Sequence, residues 1–254
     1  LVEGLPVTSF AVLNYDDEAV FEMKDRTRAH IMTFGFGEGA TIRISNFETR
    51  MNGEKPGGIA FKLEYGGSFV PVRLDNCFGK AQAYSAAAAA CIGIIFGVNL
   101  IKIAEALRNY EAPASRGKLI MGVKGTYIMD DSYNASPLSM RAAIETAESI
   151  KAKRKVAVFG DKLEIGKYTA EAHEAIGRLI PDKFDVLIAV GARAKFIADA
   201  AEKGGMAKKS VYCFDTADEA KLEVQKLIKK GDLILIKASR AIGLDKIVEE
   251  IRQI

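Results

Sequence analysis

From Thr126 onward, short apolar runs alternate with capped amphipathic stretches, and few architectures accept that alternation. The runs are Tyr127–Met129, Val156–Phe159, Val186–Val190, Val211–Phe214 and Leu233–Ile236. A strand that is apolar on both faces needs cover on both, as in a parallel sheet between helix layers. The stretches between the runs carry helix start and stop signals. Ser136 before Pro137 reads as an N-cap followed by a first-turn proline, and Met140, Ile144 and Ala147 then recur on one face. Thr216 with Glu219 reads as a capping box. Ala220, Val224, Leu227 and Ile228 form that helix's stripe, and Lys229-Lys230-Gly231 closes it. Leu244, Ile247, Val248 and Ile251 give a last amphipathic helix. Repeated βα units of this kind predict an α/β fold with a doubly wound, Rossmann-like domain.

The residues before Glu111 read differently. Ala11–Leu13 is a short strand ending in Asn14-Tyr15-Asp16-Asp17, and His30–Phe34 and Thr41–Phe47 are strands on either side of Gly35-Phe36-Gly37-Glu38-Gly39. Ile59–Tyr65 and Ser68–Leu74 alternate around Gly66-Gly67, a two-residue hairpin signal. Helices follow at Gln82–Phe96 and Leu100–Asn109. Glu111-Ala112-Pro113-Ala114-Ser115-Arg116-Gly117 has linker composition, which divides the chain into 1–113 and 114–254.

Composition removes several function classes. A net charge of +3, with Lys and Arg interleaved among Asp and Glu, does not make the one-sided basic face of a nucleic-acid binder. No apolar run approaches the ~20 residues of a membrane helix. Cys77, Cys91 and Cys213 are odd in number and widely spaced, as expected of reduced thiols in a cytoplasmic protein. His30 and His173 alone cannot build a His-rich metal site, so no metal ligands are expected. The chain opens at Leu1 with no charged-then-apolar leader, so no signal peptide is read there, and a longer parent chain is expected.

In an open parallel sheet, ligands bind beyond the carboxyl ends of the strands. The loops there are Asp130-Asp131-Ser132-Tyr133-Asn134-Ala135-Ser136-Pro137, Gly160-Asp161-Lys162-Leu163-Glu164-Ile165-Gly166-Lys167 and Lys237-Ala238-Ser239-Arg240. Caps and turns account for any one of these residues. Three polar loops at one rim predict a binding cleft. Gly160 to Lys167 imitates a phosphate loop but places five residues between its glycines and Tyr168 after the lysine, so both register and metal hydroxyl are wrong. His173 lies one position off the Ala172, Ile176, Leu179 stripe, as a half-buried structural imidazole would. Arg116 in the linker is either a solvated charge or a planar donor for phosphate. Asn14 and Asp17 are either turn residues or readers of an adenine edge and a ribose hydroxyl.

Together these residues resemble the Mur ligases. The specific match is I-M-D-D-S-Y-N-A-S-P-L-S-M-R-A-A-I (residues 128–144), similar to the signature of members that accept D-alanyl-D-alanine. V-A-V-F-G-D-K-L-E-I-G (156–166) with His173 downstream, G-D-L-I-L-I-K-A-S (231–239) and V-L-N-Y-D-D (12–17) agree in order and spacing. The resemblance implies that residues 1–113 are the latter part of a central ATPase domain and 114–254 the C-terminal Rossmann-like domain. It implies that ATP phosphorylates the carboxylate of UDP-MurNAc-tripeptide and that the amine of D-alanyl-D-alanine attacks the acyl phosphate, in peptidoglycan precursor synthesis. Carried over by motif, Asn14 and Asp17 lie at the adenine end of ATP, Arg116 reaches the phosphates or ribose, and Asp131 helps hold the nucleotide. Tyr133, Asn134 and Ser136, with Lys162 and Glu164, shape the dipeptide pocket.

The phosphate loop, the family's modified lysine and the main Mg²⁺ ligands match nothing in this chain, so the segment is expected to be inactive alone. Gly79-Lys80-Ala81-Gln82 stands where the family often has Gly-Lys-His-Asn, and Lys237-Ala238-Ser239 where it has Lys-Gly-Ser. Lys162 replaces an expected Met; Ala241, Gly243 and Asp245 replace a common Gly, Arg and Glu. Alanine for glycine can crowd a close backbone approach. Two other readings stand beside the first: a non-catalytic nucleotide- or partner-binding module derived from a Mur ligase, and an amide ligase with a different amino-acid acceptor.

Overall fold

A computed structural model describes residues 1–253, which form two compact units: Leu1–Arg50 with Gly57–Glu111, and Met51–Pro56 with 112–253. In the first, β1 (Phe10–Asn14), β2 (His30–Gly35), β3 (Ile42–Asn52), β4 (Lys55–Tyr65) and β5 (Ser68–Asp75) make one sheet in that order. The short helix α1 (Glu18–Phe21) follows β1; α2 (Lys80–Ile95) packs on β1 and β2, and α3 (Leu100–Leu107) on β5. The β4–β5 hairpin turns at Gly66-Gly67, with Tyr65 opposite Ser68. That register pairs Ile59 with Leu74, Phe61 with Val72 and Leu63 with Val70, all buried, so the alternation read in sequence becomes one apolar face. Each such side chain contributes about 1.5–3 kcal/mol on burial.

Two features of this unit were not legible. β3 and β4 run to Asn52 and from Lys55, longer than the apolar runs suggest, because their tips are polar or contain Pro56 and Gly57. β2 and β3 pair in parallel through only Phe34–Ile42 and Gly35–Arg43, across a short connection. Two anchors hold that connection. Thr33 and Thr41 exchange backbone-to-hydroxyl bonds of 3.1 and 2.9 Å, and the Asp16 carboxylate accepts from Phe36 N–H (2.5 Å) and Gly37 N–H (2.8 Å). The glycines make room for this. A Cβ at Gly39 would stand 2.2 Å from the Tyr15 hydroxyl, and one at Gly37 2.6 Å from the same ring.

The second unit has β6 (Lys118–Met121), β7 (Tyr127–Asp130), α4 (Pro137–Ser149), β8 (Lys155–Gly160), α5 (Thr169–Gly177), β9 (Val186–Val190), α6 (Ala194–Lys203), β10 (Val211–Phe214), α7 (Ala217–Leu227), β11 (Leu233–Lys237) and α8 (Asp245–Ile251). The sheet order is β10-β9-β8-β11-β7-β6, and every described pairing is parallel except β6–β7. Alternate strand residues Ile128, Val156, Val158, Ile188, Val190, Ile234 and Ile236 cluster with Ala220, Val224, Ile247, Val248 and Ile251 of α7 and α8. Helices α4, α5 and α6 pack side by side, α4 on β11 and α6 on β9 and β10. The unit is therefore doubly wound, as the both-faced apolar runs predict. The edge strand β6 was not read from sequence, since four residues beside a linker carry too little periodicity. Among the described residues no helix is long and apolar enough to cross a membrane.

The winding places the site. The chain leaves β7 for β8, steps outward to β9 and β10, then returns as β11 into the gap between β8 and β7. Ile236 stands beside Asp130, Lys237 beside Phe159 and Gly160 beside Val190. The three polar loops picked out in sequence thus leave neighbouring strands at one rim.

Candidate functional site

The last residue of β7 acts as a staple. Asp130 is buried; its Oδ1 accepts from Ser132 N–H (3.2 Å) and hydroxyl (2.6 Å), its Oδ2 from Ser115 N–H (3.1 Å) and hydroxyl (3.2 Å). Gly117 N–H donates to Asp130 O (2.8 Å) and Tyr133 N–H to Ser115 O (3.1 Å). The turn bearing Arg116 is therefore fastened to the β7 loop from both sides. Ser115 holds a left-handed φ of 60°, a sparsely populated state for a residue with a Cβ.

Beside this staple, Lys237 Nζ lies 2.5 Å from Asp131 Oδ2 and donates to Asn134 O at 2.9 Å. The lysine side chain is 3% exposed and the aspartate 26%. A buried ammonium persists only when paired and hydrogen-bonded, so the partnership fixes the loop's path. Burial pushes the Asp131 carboxyl above its usual range; Lys237 opposes that most strongly, Asp130 adds to it and Arg116 opposes it.

The same loop carries an exposed aromatic, Tyr133. The guanidinium carbons of Arg116 and Arg240 lie 4.1 and 5.1 Å from the Tyr133 ring centroid. Asn134 folds its Oδ1 onto Ala135 N–H (2.8 Å). Ser136 caps α4: its hydroxyl accepts from Ser139 N–H (3.0 Å), and Ser139 Oγ accepts from Ser136 N–H (2.8 Å), a reciprocal box with Ser in the place of Glu.

The β8 loop is held from three elements. Buried Asp161 Oδ1 accepts from Arg193 N–H (2.9 Å) and Ala194 N–H (2.6 Å) at the start of α6, and Ser239 N–H donates to Asp161 O (3.0 Å). Leu163 N–H donates to Ser239 Oγ (2.9 Å) and Lys162 N–H to His173 Nε2 (2.9 Å). Because Nε2 accepts, the ring proton sits on Nδ1, which meets Thr169 O at 2.6 Å. His173 is structural, as its position suggested, but fully buried rather than half-buried, at 2% exposed. Lys162 Nζ turns back to Leu163 O (2.8 Å), and Glu164 takes a left-handed φ of 63°. Ala238 does not crowd the rim. Its methyl is buried in the α7–α8 cluster, and a Cβ at Gly160 would meet it at 2.7 Å.

Asn14 and Asp17 lie in the first unit. Asn14 Oδ1 accepts from Asp16 N–H (3.1 Å), and Asp17 Oδ1 accepts from Val20 N–H (3.1 Å) as the N-cap of α1, so each has a local turn role. The second unit brings Arg116, Asp131, Tyr133 and Asn134 together, with Ser136, Lys162 and Glu164 on loops of the same rim. Sequence reading placed Asp130, Asp161, Lys237, Ser239 and Arg240 in the three rim loops but gave none of them a role of its own. The signal for Lys237 was a lysine closing an otherwise apolar strand, which a buried partner must neutralise. Asp16 was missed in the first unit; Gly35, Gly37 and Gly39 at alternate positions were its trace.

The exposed guanidiniums suit an anionic ligand such as nucleotide phosphate. Asp131, held by an ammonium, suits hydroxyls better than a divalent ion. Among the described residues no three His, Cys, Asp or Glu side chains gather as a metal cage. Mg²⁺ commonly takes only one or two carboxylates with substrate phosphates, so that observation leaves it open.

A doubly wound domain with polar loops at the switch edge and an arginine-bearing turn before its first strands is the architecture of a Mur ligase C-terminal domain. Residues 115–240 match the domain family described as Mur ligase, glutamate ligase domain. The chain is 35% identical over 195 residues to the UDP-N-acetylmuramoyl-tripeptide--D-alanyl-D-alanine ligase of Bacillus subtilis, covering 74% of this chain and 42% of that enzyme. It superposes on the crystal structure of MurF from Acinetobacter baumannii with a TM-score of 0.79 at 26% identity, covering 97% of this chain and 52% of that one. MurF from Thermotoga maritima, solved with ADP, gives 0.80 at 23% identity, a likeness of fold. The chain belongs to the Mur ligase family. It spans about half the length of the curated relatives it matches.

Proposed function

We propose that this chain is the C-terminal part of an ATP-dependent, cytoplasmic amide ligase that joins D-alanyl-D-alanine to UDP-MurNAc-tripeptide. Residues 1–113 are read as the latter part of its ATP-binding domain and 114–254 as its acceptor-side domain. The observation that carries the proposal is the Lys237–Asp131 pair beside the Arg116–Tyr133 contact, in a chain 35% identical over 195 residues to a ligase named for that dipeptide. In this reading Arg116 meets ATP phosphates and Asp131 a ribose hydroxyl. Asn14, whose amide nitrogen can donate while its oxygen serves the turn, and Asp17 lie toward adenine. Tyr133 and Asn134 face the dipeptide. Ser136 acts through the direction it gives α4, and Lys162 and Glu164 through the loop they belong to. ATP, with Mg²⁺ held mainly by residues outside 1–254, supplies the acyl phosphate. This chain's side chains orient the amine and counter phosphate charge rather than break bonds.

The test joins this chain to the complementary half of the Bacillus subtilis enzyme and measures phosphate release. Turnover is expected only when ATP, UDP-MurNAc-tripeptide and D-alanyl-D-alanine are all present, and none from the 254-residue chain alone. A folded chimera that accepts diaminopimelate, lysine or glutamate but not the dipeptide would refute the acceptor assignment. Robust turnover by the chain alone would refute the division of labour.

A further inference from the structure

Charges that interleave along the sequence are sorted by the winding of the second unit. Its parallel strands put the five connections that enter β7, β8, β9, β10 and β11 at one rim, and the five that leave them at the other. The leaving connections, which carry the candidate site, hold four Lys or Arg against four Asp or Glu. The entering ones, 122–126, 150–154, 178–185, 204–210 and 228–232, hold ten against three. Of those three acids, Asp232 is buried against Arg154 and Asp185 accepts from Lys155 N–H (2.7 Å), which leaves Asp182 exposed.

Helix C-termini favour cations, and α4, α5, α6 and α7 all end at this rim. That accounts for part of the charge. Arg154 donates to Leu227 O (3.3 Å), and Lys124 Nζ donates to Gln225 O (2.7 Å) and Ile228 O (3.0 Å). Lys183 pairs with Glu148, Arg178 with Glu174, and Lys229 attracts the Asp232 carboxylate. Lys151, Lys153, Lys208, Lys209 and Lys230 do none of this. All five are exposed, and among the described residues none has a side-chain ion pair or hydrogen bond. They lie where the chain enters β8, β10 and β11, along a sheet edge whose β10–β7 stretch spans four strand spacings, roughly 19 Å.

The chemistry of the row selects its partner. Lysine ammonium groups are point charges without the planar fork that grips one phosphate or reads a base edge. The aromatic residue in the five connections is Phe184, which is buried, so no base-stacking platform stands there. Connections of five to eight residues supply no helix long enough to lie in a duplex groove. Met121, 42% exposed and opposite Tyr127 at the end of β6, adds an apolar side chain to the same rim. We propose that this rim docks the domain on an anionic lipid surface, with Lys151, Lys153, Lys208, Lys209 and Lys230 facing the headgroups. Dispersed point charges suit a plane of many phosphates, where each adds attraction without geometric matching. Docked in this way, the loops bearing Asp131 and Tyr133 leave the opposite rim, open to soluble ligands. The docking uses none of the residues on which the ligase reading stands.

The test is cosedimentation of the 254-residue chain with mixed phosphatidylglycerol–phosphatidylcholine vesicles, and with vesicles of phosphatidylcholine alone. Binding is expected to the anionic vesicles and to weaken as salt rises. Lys208→Gln with Lys209→Gln should weaken it about fivefold per lysine, and Lys151→Gln with Lys153→Gln likewise. Lys102→Gln with Arg108→Gln removes the same charge from exposed positions on and just after α3 and should leave binding unchanged. Equal thermal midpoints show that the variants are folded. No preference for anionic vesicles, equal weakening by the α3 pair, or tighter binding to duplex DNA or RNA at the same salt overturns the proposal. An active chimera that ignores the vesicles overturns the docking and leaves the ligase reading standing; an inert chimera that binds them does the reverse.

Discussion

Replacing Lys237 by Met removes the ammonium beneath Asp131 while keeping most of the side chain's volume. Breaking a buried ion pair by deleting one partner costs about 3–5 kcal/mol, because the other charge stays buried and uncompensated. Asp131 is 26% exposed, so water reaches part of its carboxylate and the expected cost falls to about 2–3 kcal/mol. The cost must depend on pH. The folded Asp131 carboxyl is already raised above its ordinary 3.8 by burial, with Lys237 as the strongest opposing influence. Lys237→Met therefore raises it further. A carboxyl raised in the folded state stabilises fully below its unfolded value and loses that stability as pH climbs through the folded value. The penalty should thus be smallest near pH 4 and grow toward pH 8. Urea unfolding read from amide signals of β7 and β11 isolates this unit. Asp131→Asn on top of Lys237→Met removes both charges and should recover most of the loss. A Lys237→Met chain as stable as the parent at pH 8, or a double variant no better than the single, would refute the buried-pair reasoning.

Other expectations follow from the same contacts. Ser136→Ala removes an N-cap and half of a reciprocal box, at about 1 kcal/mol in thermal unfolding, with Ser136→Gly milder. Gly160→Ala places a Cβ 2.7 Å from Ala238 Cβ and 2.9 Å from Ile242 Cγ2, an overpacking of about 1–3 kcal/mol by denaturant midpoint. Ala238→Gly in the same chain should relieve part of it. His173→Phe orphans the Lys162 amide and should cost about 1–3 kcal/mol, with faster amide exchange at Lys162 and Leu163. Among the three thiols, burial pushes Cys77 and Cys91 up to about 12, so a disulfide reagent at pH 8 should modify exposed Cys213 alone until denaturant is added.

How much of this was legible depended on how local the cause was. The parallel strands announced themselves because burial on both faces makes Val186–Val190 or Leu233–Ile236 apolar without alternation, and Ser136-Pro137 marked a helix start within two residues. The failures at the site itself were long-range. His173 was placed at the margin of a stripe because a helix facing one surface buries a narrow arc. Here α5 lies between α4 and α6, which widens that arc to include the imidazole. Asp161 reads as an ordinary cap in sequence; only the fold shows that it caps α6, more than thirty residues on, and reaches β11 through Ser239. Arg240 was legible only as part of the polar loop after the last strand, since its meeting with Tyr133 depends on β11 returning to lie beside β7.

The rim therefore separates into side chains that build and side chains that present. Asp130, Asp161, His173 and Lys237 are buried and spend their polar atoms on neighbours, so a ligand reaching them would first have to break the loops they hold. Arg116, Tyr133, Asn134 and Arg240 are exposed on backbones those four have immobilised. The exposed four present two planar cationic donors, an amide and an aromatic face. What remains is binding and aiming of charged groups. That division is what a binding rim needs, because the side chains that meet a ligand can move while the stapling beneath them keeps its geometry.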